Sequence, residues 1–268
     1  MNSILFVPSV KKGNGSGHLV RCLLLAGTVG GKASVYLADN PAQEERSRVE
    51  IELAYPRETS EVRIRGHIEP GERFDLVVLD RRETALDEYT RWATCGPVLA
   101  IDEGGPARKS ADYLVDILPV LPGSAMSRHT PNMASSGFMS LPVRRRDPPT
   151  SIDRVLVSFG GEDRKGLTGA FLSLATGKGF LKPSQITVVS GPLADLDLSY
   201  PGVTAIGPVQ NLGERLASFD LVVTLFGLTA FEAAWAGCCV LLLNPSAVHE
   251  RLARAAGFVS LGTGKPDA

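Results

Sequence analysis

Short, wholly apolar runs recur along the chain, separated by stretches of helical periodicity. In the first half Ile4–Val7, Val35–Ala38, Leu76–Leu79 and Val98–Ile101 read as strands, with Leu114–Leu118 as a further one. The second half offers Val155–Phe159, Ile186–Val189, Val203–Ile206, Leu221–Leu225, Val240–Leu243 and Phe258–Leu261. Most of these runs do not alternate apolar with polar residues, so both faces of each strand are covered, as in a parallel sheet between helices. Helices are predicted over His18–Val29, Gln43–Leu53, Thr84–Ala93, Leu167–Ala175, Leu212–Phe219, Thr229–Ala236 and Val248–Ala256. The first places Leu19, Cys22, Leu23 and Ala26 on one stripe, and the Thr84 helix opens with a capping-type Thr-x-x-Asp pattern. Strands alternating with helices predict doubly wound α/β units.

One segment could be mistaken for a membrane span. Residues 221–243 carry a single charge, Glu232, in 23 positions. Gly227, Gly237 and that glutamate divide it, so a strand, a short helix and a second strand explain it better. A boundary is predicted around 140–152, where three prolines and the run Arg144–Arg146 suit a stiff, solvated linker. Domains over 1–145 and 150–268 follow, each opening with a strand, a Gly-rich loop and a helix.

Composition sharpens this. A chain of 268 residues has room for two small domains, and 44% hydrophobic with 21% charged residues excludes disorder. The formal net charge of -1 gives no general attraction to nucleic acid or to an anionic membrane. Charge is uneven, however: 19 basic and 19 acidic residues in 1–147 against 9 and 10 in 148–268, which supports the division. The four cysteines show no Cys-x-x-Cys spacing and the N-terminus no basic signal-peptide region, so a cytoplasmic protein with reduced thiols is expected.

Candidate chemistry gathers where strands meet helices. The loop after the first strand carries Gly13, Gly15 and Gly17, then His18 and, one helical turn on, Arg21. Glycines let backbone approach a ligand, and a helix N-terminus favours an anion. An imidazole at the end of the first strand can take a proton from water or a hydroxyl. Asp39 alone could serve the ribose of a nicotinamide cofactor, which makes a dinucleotide enzyme a poor second choice. Gly160 and Gly161 follow a buried strand and either cradle phosphate or make the turn. Gly227, Leu228 and Thr229 precede Glu232, read as a carboxylate in the first helical turn that accepts ribose hydroxyls. The alternative for Glu232 is a helix-start preference. Asp80 and Asp102 end successive strands, as site residues or as turn formers; His249 is as well placed for the surface as for a site. Trp92 and Trp235 read as core, and His67 and His129 belong to no local pattern.

Gly13–Arg21 resembles the Gly-x-Gly-His-x-x-Arg signature of the bacterial UDP-2,4-diacetamido-2,4,6-trideoxy-β-L-altropyranose hydrolases of pseudaminic acid synthesis. Leu156–Thr168 is similar to their Ser-Phe-Gly-Gly-x-Asp segment. Gly227–Glu232 resembles the Gly-x-Thr/Ser-x-x-Glu segment that they share with the peptidoglycan N-acetylglucosaminyl transferase. Where the hydrolases carry Asp-x-Tyr this chain has Asp80-Arg81-Arg82, and in place of their Asn-Gln it has Asn244 followed by a shorter segment to His249.

The resemblance implies a GT-B-type protein with two Rossmann-like domains facing a cleft. It implies His18 as base, with Arg21 beside it, for attack on the anomeric carbon of a UDP-sugar. Uracil would lie near Val209 and Leu212, phosphates near Gly161 and Gly227–Thr229, and ribose on Glu232, without metal or cofactor. The leading expectation is hydrolysis of a UDP-activated amino sugar for surface-glycan synthesis. An inverting glycosyltransferase and a nucleotide-sugar-binding module without turnover are the alternatives. The family's chains continue with at least one more helix, so the second domain is expected to be trimmed or part of a longer polypeptide.

Overall fold

The computed structural model describes residues 3–10, 17–37, 62–124, 126–139, 141–163, 165–191 and 200–264. The expected helix Gln43–Leu53, Asp39, Gly13 and Gly15 lie outside the described residues. The chain divides into two units, Met1–Ser140 and Leu141–Ala268.

In the first unit, strands β1 (Ile4–Pro8), β2 (Ala33–Tyr36), β3 (Arg63–Arg65), β4 (Leu76–Asp80), β5 (Val98–Ile101), β6 (Tyr113–Asp116) and β7 (Met133–Ala134) form one sheet. Its order is β3-β2-β1-β4-β5-β6-β7, with parallel pairing throughout. Alternate residues of the central strands serve opposite faces. Leu5, Val7, Val77, Leu79, Val98 and Ala100 join Trp92 of helix α2 (Leu86–Ala93) in one core. Helix α1 (Gly17–Val29) buries Leu19, Cys22, Leu23 and Ala26, the expected stripe. Trp92 is wholly buried and meets Tyr36 edge-on, ring centroids 4.9 Å apart.

Two strands escape the apolar-run criterion. Both β3 and β7 lie at sheet edges, and their residues range from half-buried to exposed. Edge strands need no apolar face on both sides, and charge there discourages pairing with other chains. The Thr84 cap is also corrected. Helix α2 begins at Leu86 after Ala85, and the Thr84 hydroxyl donates instead to Glu103 Oε2 at 2.6 Å.

In the second unit, β8 (Val155–Val157), β9 (Ile186–Val189), β10 (Thr204–Ile206), β11 (Leu221–Thr224), β12 (Cys239–Asn244) and β13 (Val259–Thr263) form a parallel sheet. The order is β10-β9-β8-β11-β12-β13. Its helices are α3 (Leu167–Gly177), α4 (Leu212–Leu216), α5 (Leu228–Trp235) and α6 (Ala247–Ala255). Val155, Val157, Ile186, Val188 and Val223 pack with Phe171 and Leu172 of α3 on one face. Leu156, Val189 and Val222 pack with Leu216, Ala233 and Ala236 on the other. Residues 221–243 are a strand, helix and strand as expected, and among the described residues no helix is long and apolar enough to cross a membrane.

The expected solvated linker is instead fastened to the second unit. Glu214 accepts the backbone N–H of Val143 at 2.9 Å, and the Arg145 guanidinium stacks on Trp235, 4.4 Å from its centroid. Arg146 donates to Asp220 Oδ1 at 2.5 Å, and its backbone N–H to Ala236 O at 2.9 Å. Gly237 is required there: a Cβ would lie 2.1 Å from the Arg146 carbonyl oxygen. Trp235, expected in the core, is 43% exposed and serves as the platform for Arg145.

Both sheets are wound outward from one central pair, β1 with β4 and β8 with β11. Ligands of open α/β sheets bind beyond the strand C-termini where the strand order reverses. Leu156 lies at the centre of the second sheet with no exposed surface. Leu156→Ala is expected to cost about 2–5 kcal/mol by lost burial and cavity formation, measured as the fall in the urea midpoint of the unit's unfolding transition.

Candidate functional site

The reversal point of the first sheet is built from three strand ends and one helix. Pro8 of β1 pairs in register with Asp80 of β4, and the backbone N–H of Ser9 donates to the Asp80 carbonyl at 2.8 Å. Helix α1 rises beside this pair. Positions 18, 21 and 22 share one helical face, which turns His18, Arg21 and Cys22 toward the Asp80 carboxylate.

Asp80 is wholly buried. Its Oδ1 meets His18 Nδ1 at 2.6 Å and accepts from Arg21 Nη2 at 2.6 Å, while Oδ2 accepts from Arg21 Nε at 2.6 Å. Arg21 then reaches Asp102, beyond β5, donating from Nη1 to Oδ2 at 3.0 Å. Asp102 has a left-handed backbone (φ 50) that directs its carboxylate inward, and its Oδ1 accepts the N–H groups of Ile117 and Leu118 at 2.7 and 2.9 Å.

Charge in this cluster is locked. Burial alone would push the Asp80 carboxyl upward, but the Arg21 hydrogen bonds and the neighbouring His18 outweigh it and hold it below its ordinary value. Burial likewise opposes the Arg21 charge, and Asp80 and then Asp102 reverse that, so the guanidinium stays protonated. The thiol of Cys22 is pushed up, by burial first and by Asp80 second, and stays neutral. An ionised carboxylate only accepts hydrogen bonds, so Nδ1 of His18 donates to Asp80, and when the ring carries one proton Nε2 is the nitrogen with the lone pair. This is the tautomer a general base needs. The His18 side chain is 15% exposed.

The structure thus brings together His18 and Arg21 with two residues whose role the sequence left open, Asp80 and Asp102. Arg21 lies beside the base, and its hydrogen bonds run to carboxylates. Its guanidinium is 7% exposed and spent on the two carboxylates, so it holds Asp80 in place.

In the second unit the loops after β8 and β11 flank the reversal point. The Gly160–Gly161 turn runs close against Gly191. Gly160 is left-handed (φ 77), and a Cβ on Gly191 would lie 2.2 Å from Gly160 O and 2.4 Å from Gly161 Cα. The next helix is already served: Asp163 accepts the N–H groups of Leu167 and Thr168 at 2.8 and 3.0 Å. That accounts for the aspartate of the Ser-Phe-Gly-Gly-x-Asp segment as a helix cap and leaves α3 little to offer a phosphate.

Helix α5 is different. Among the described residues no side chain caps its N-terminus, and none comes nearer to a Cβ at Gly227 than Leu225 Cδ1 at 3.5 Å. The preceding turn is fixed from behind. Fully buried Asn244 accepts the Phe226 N–H at 2.9 Å and donates to Glu250 Oε2 at 2.9 Å, which also accepts from Ser260 at 2.6 Å. The His249 Nδ1 lies 2.8 Å from Ser246 Oγ, at the start of α6.

Glu232 is the fifth residue of α5, not in its first turn, which removes the helix-start explanation. A Cβ on Gly213, in α4, would lie 3.9 Å from both Cδ and Oε1 of Glu232, so the carboxyl rests against bare backbone. Among the described residues it has no hydrogen-bond or ion-pair partner, and burial pushes its pKa up to about 7. Val209 and Leu212, on the segment leading into α4, pack half-buried against Leu216 and Ala233.

Asp80 makes a direct prediction. A carboxyl held below its unfolded value stabilises the fold above that value and loses the contribution as pH falls through the folded value. Asp80→Asn strands Arg21 with weakened compensation and is expected to cost about 3–5 kcal/mol at neutral pH. It should also flatten the loss of stability below about pH 4, both read from urea unfolding across pH.

No protein-family model and no curated protein sequence matches the chain. Solved structures do. The spinosyn forosaminyltransferase SpnP is similar over 97% of this chain and 86% of its own, at 13% identity and a TM-score of 0.58. Arabidopsis thaliana UGT89C1 complexed with quercetin is similar over 99% and 86%, at 12% identity and 0.55. CalG4, the calicheamicin glycosyltransferase, is similar over 98% and 85%, at 15% identity and 0.51. The fold is therefore the two-domain, Rossmann-like GT-B fold, and the likeness extends over nearly the whole chain.

Proposed function

We propose that this protein is an inverting glycosyltransferase that uses a nucleotide-sugar donor, UDP-linked by the resemblance of its motifs. The observation that carries the reading is the His18–Asp80 dyad at the reversal point of the first sheet, backed by Arg21 and Asp102. The GT-B fold, shared with glycosyltransferases, supports transfer over other uses of such a dyad.

In this reading the acceptor hydroxyl gives its proton to His18 Nε2 as its oxygen attacks the anomeric carbon. The bond from that carbon to the diphosphate breaks from the opposite face, inverting the configuration and releasing the nucleoside diphosphate. The imidazolium formed is stabilised by the fixed Asp80 carboxylate, as in other His–Asp pairs. The second unit holds the nucleotide. The amides of Leu228 and Thr229, at the positive end of α5, face the diphosphate. The Glu232 carboxylate accepts the ribose hydroxyls, and Val209 with Leu212 lies under the base. Gly17, Gly160 and Gly161 shape backbone in this reading and do not bind phosphate.

Hydrolysis is the second reading, favoured by the likeness of Gly13–Arg21 to the sugar-nucleotide hydrolases. Water would then replace the acceptor before the same base. UDP release from UDP-sugars with and without added acceptor separates the two. Release only with acceptor supports transfer, equal release without it supports hydrolysis, and tight UDP binding without release from any donor leaves a binding module.

His18→Ala is expected to lower turnover by about a hundredfold or more while leaving UDP affinity unchanged, measured by UDP release and by calorimetry. Unaltered turnover would remove His18 as the base.

Glu232 makes the nucleotide site pH-dependent. The ionised form accepts ribose hydroxyls, and it is lost as pH falls through about 7. Uridine affinity should therefore be constant above that pH and fall toward tenfold per unit below it. Glu232→Gln should weaken binding and abolish the slope. Uridine is the chosen probe because it carries no titrating phosphate.

A further inference from the structure

Along the loops that follow β4 and β5, the first unit holds a pocket of 370 Å³ lined by Glu83, Gly104, Gly105, Pro106, Arg108 and Lys109, with Arg128 and His129. Its size is that of a small-molecule site. The loop that forms it, between β5 and β6, starts at Asp102 and is held rigidly. Buried Glu103 accepts the N–H of Thr84 at 3.0 Å, the Thr84 hydroxyl at 2.6 Å and the N–H of Gly105 at 2.7 Å. Arg108, 2% exposed, clasps Asp116 with two hydrogen bonds of 2.9 and 2.7 Å. It also donates to the His129 carbonyl at 2.7 Å, which ties the two walls together. Gly105 is required where it stands, since a Cβ would lie 2.8 Å from Glu103 Oε1.

The buried polar groups of the walls have hydrogen-bond partners; the cations at the mouth have none among the described residues. Arg108 is balanced by Asp116, and Glu103 is saturated by its donors. That leaves Lys109 and Arg128, both exposed and, among the described residues, without a hydrogen-bond or ion-pair partner, against the single carboxylate of Glu83. The amides of Gly104 and Gly105 are already used, on the Arg82 carbonyl and on Glu103, so recognition in this pocket falls to side chains. A rigid cavity with two uncommitted cations and a half-buried imidazole suits a ligand carrying a compact negative group.

We propose that this pocket binds a small organic anion, a carboxylate or a phosphate monoester, held by Lys109 and Arg128. The site does not depend on the glycosyltransferase reading. Such an anion can reach it from two sources, as a substrate of the reaction or as an effector.

The test is titration of the full-length protein with glucose 6-phosphate, glucuronate and glucose, followed by calorimetry and by NMR of the backbone amides. Saturable binding of an anionic probe, with shifts at Gly104, Gly105 and His129 and weakening in added salt, is the expected result. Lys109→Ala/Arg128→Ala should reduce that affinity about tenfold or more and leave UDP affinity unchanged. Both side chains are exposed, so the variant keeps its fold, checked by circular dichroism. Glucose binding as well as its phosphate, or anion affinity unchanged in the double variant, would overturn the proposal. So would the absence of saturable binding by either anion. Repeating the titration with a UDP-sugar present separates the sources. A glycosylated probe marks a substrate, and altered UDP release with the probe intact marks an effector. UDP binding and release are read independently, so failure of the glycosyltransferase reading leaves this test standing.

Discussion

The centre of the first unit is a carboxylate with no access to water. Asp80 ends a strand whose other residues are apolar, and burial there is tolerable only because Arg21 and His18 supply its hydrogen bonds. That requirement sets much else. It fixes the face that α1 turns to the sheet, because residues 18, 21 and 22 must point at β4. It draws Asp102 across from β5, since a guanidinium buried against one carboxylate has donors to spare. It also fixes the proton on Nδ1 of His18. The same contacts that make the buried charge affordable therefore prepare the imidazole to accept a proton.

The second unit treats its buried polar groups in two opposite ways. Asn244, Glu250 and Ser260 satisfy one another behind β12, and through Phe226 they hold the turn into α5. Asp163 is used up capping α3. Glu232 and the start of α5 are left open beside one another, the carboxyl against the bare backbone of Gly213. Where most polar groups are matched with care, an unmatched carboxyl next to an uncapped helix is where a ligand with hydroxyls and phosphates fits. The pocket walled by Arg108 repeats the contrast: hydrogen-bonded groups build the walls, and cations without partners among the described residues face the opening.

Much of the fold was legible because parallel strands buried on both faces leave continuous apolar runs. Leu76–Leu79, Val98–Ile101 and Ile186–Val189 show it. The edge strands β3 and β7 were not legible, since one side of each faces solvent and their composition resembles a loop. The arginines at 144–146 misled for a related reason. A run of charge looks solvated, but Asp220, Glu214 and the face of Trp235 are partners far away in sequence. Thr84 misled locally: its hydroxyl had a better acceptor in Glu103 than the helix it precedes.

For the site the division is sharper. The sequence by itself determined the doubly wound class, the glycine turn after β8 and the place of His18 at the start of the first helix, because backbone and burial patterns repeat over short distances. It left Asp80 and Asp102 balanced between a site and ordinary turns, and set Arg21 beside the base as a partner in the chemistry. Tertiary structure decided those. Strand order places the ends of β1, β4 and β5 side by side, and only that neighbourhood shows which carboxylate a guanidinium holds. It also decided that Gly191 carries no side chain where the Gly160–Gly161 turn passes it, and that Glu232 stands past the first turn of its helix. Hydrogen bonds between residues sixty positions apart leave no period in a sequence; they exist once the sheet has set its order.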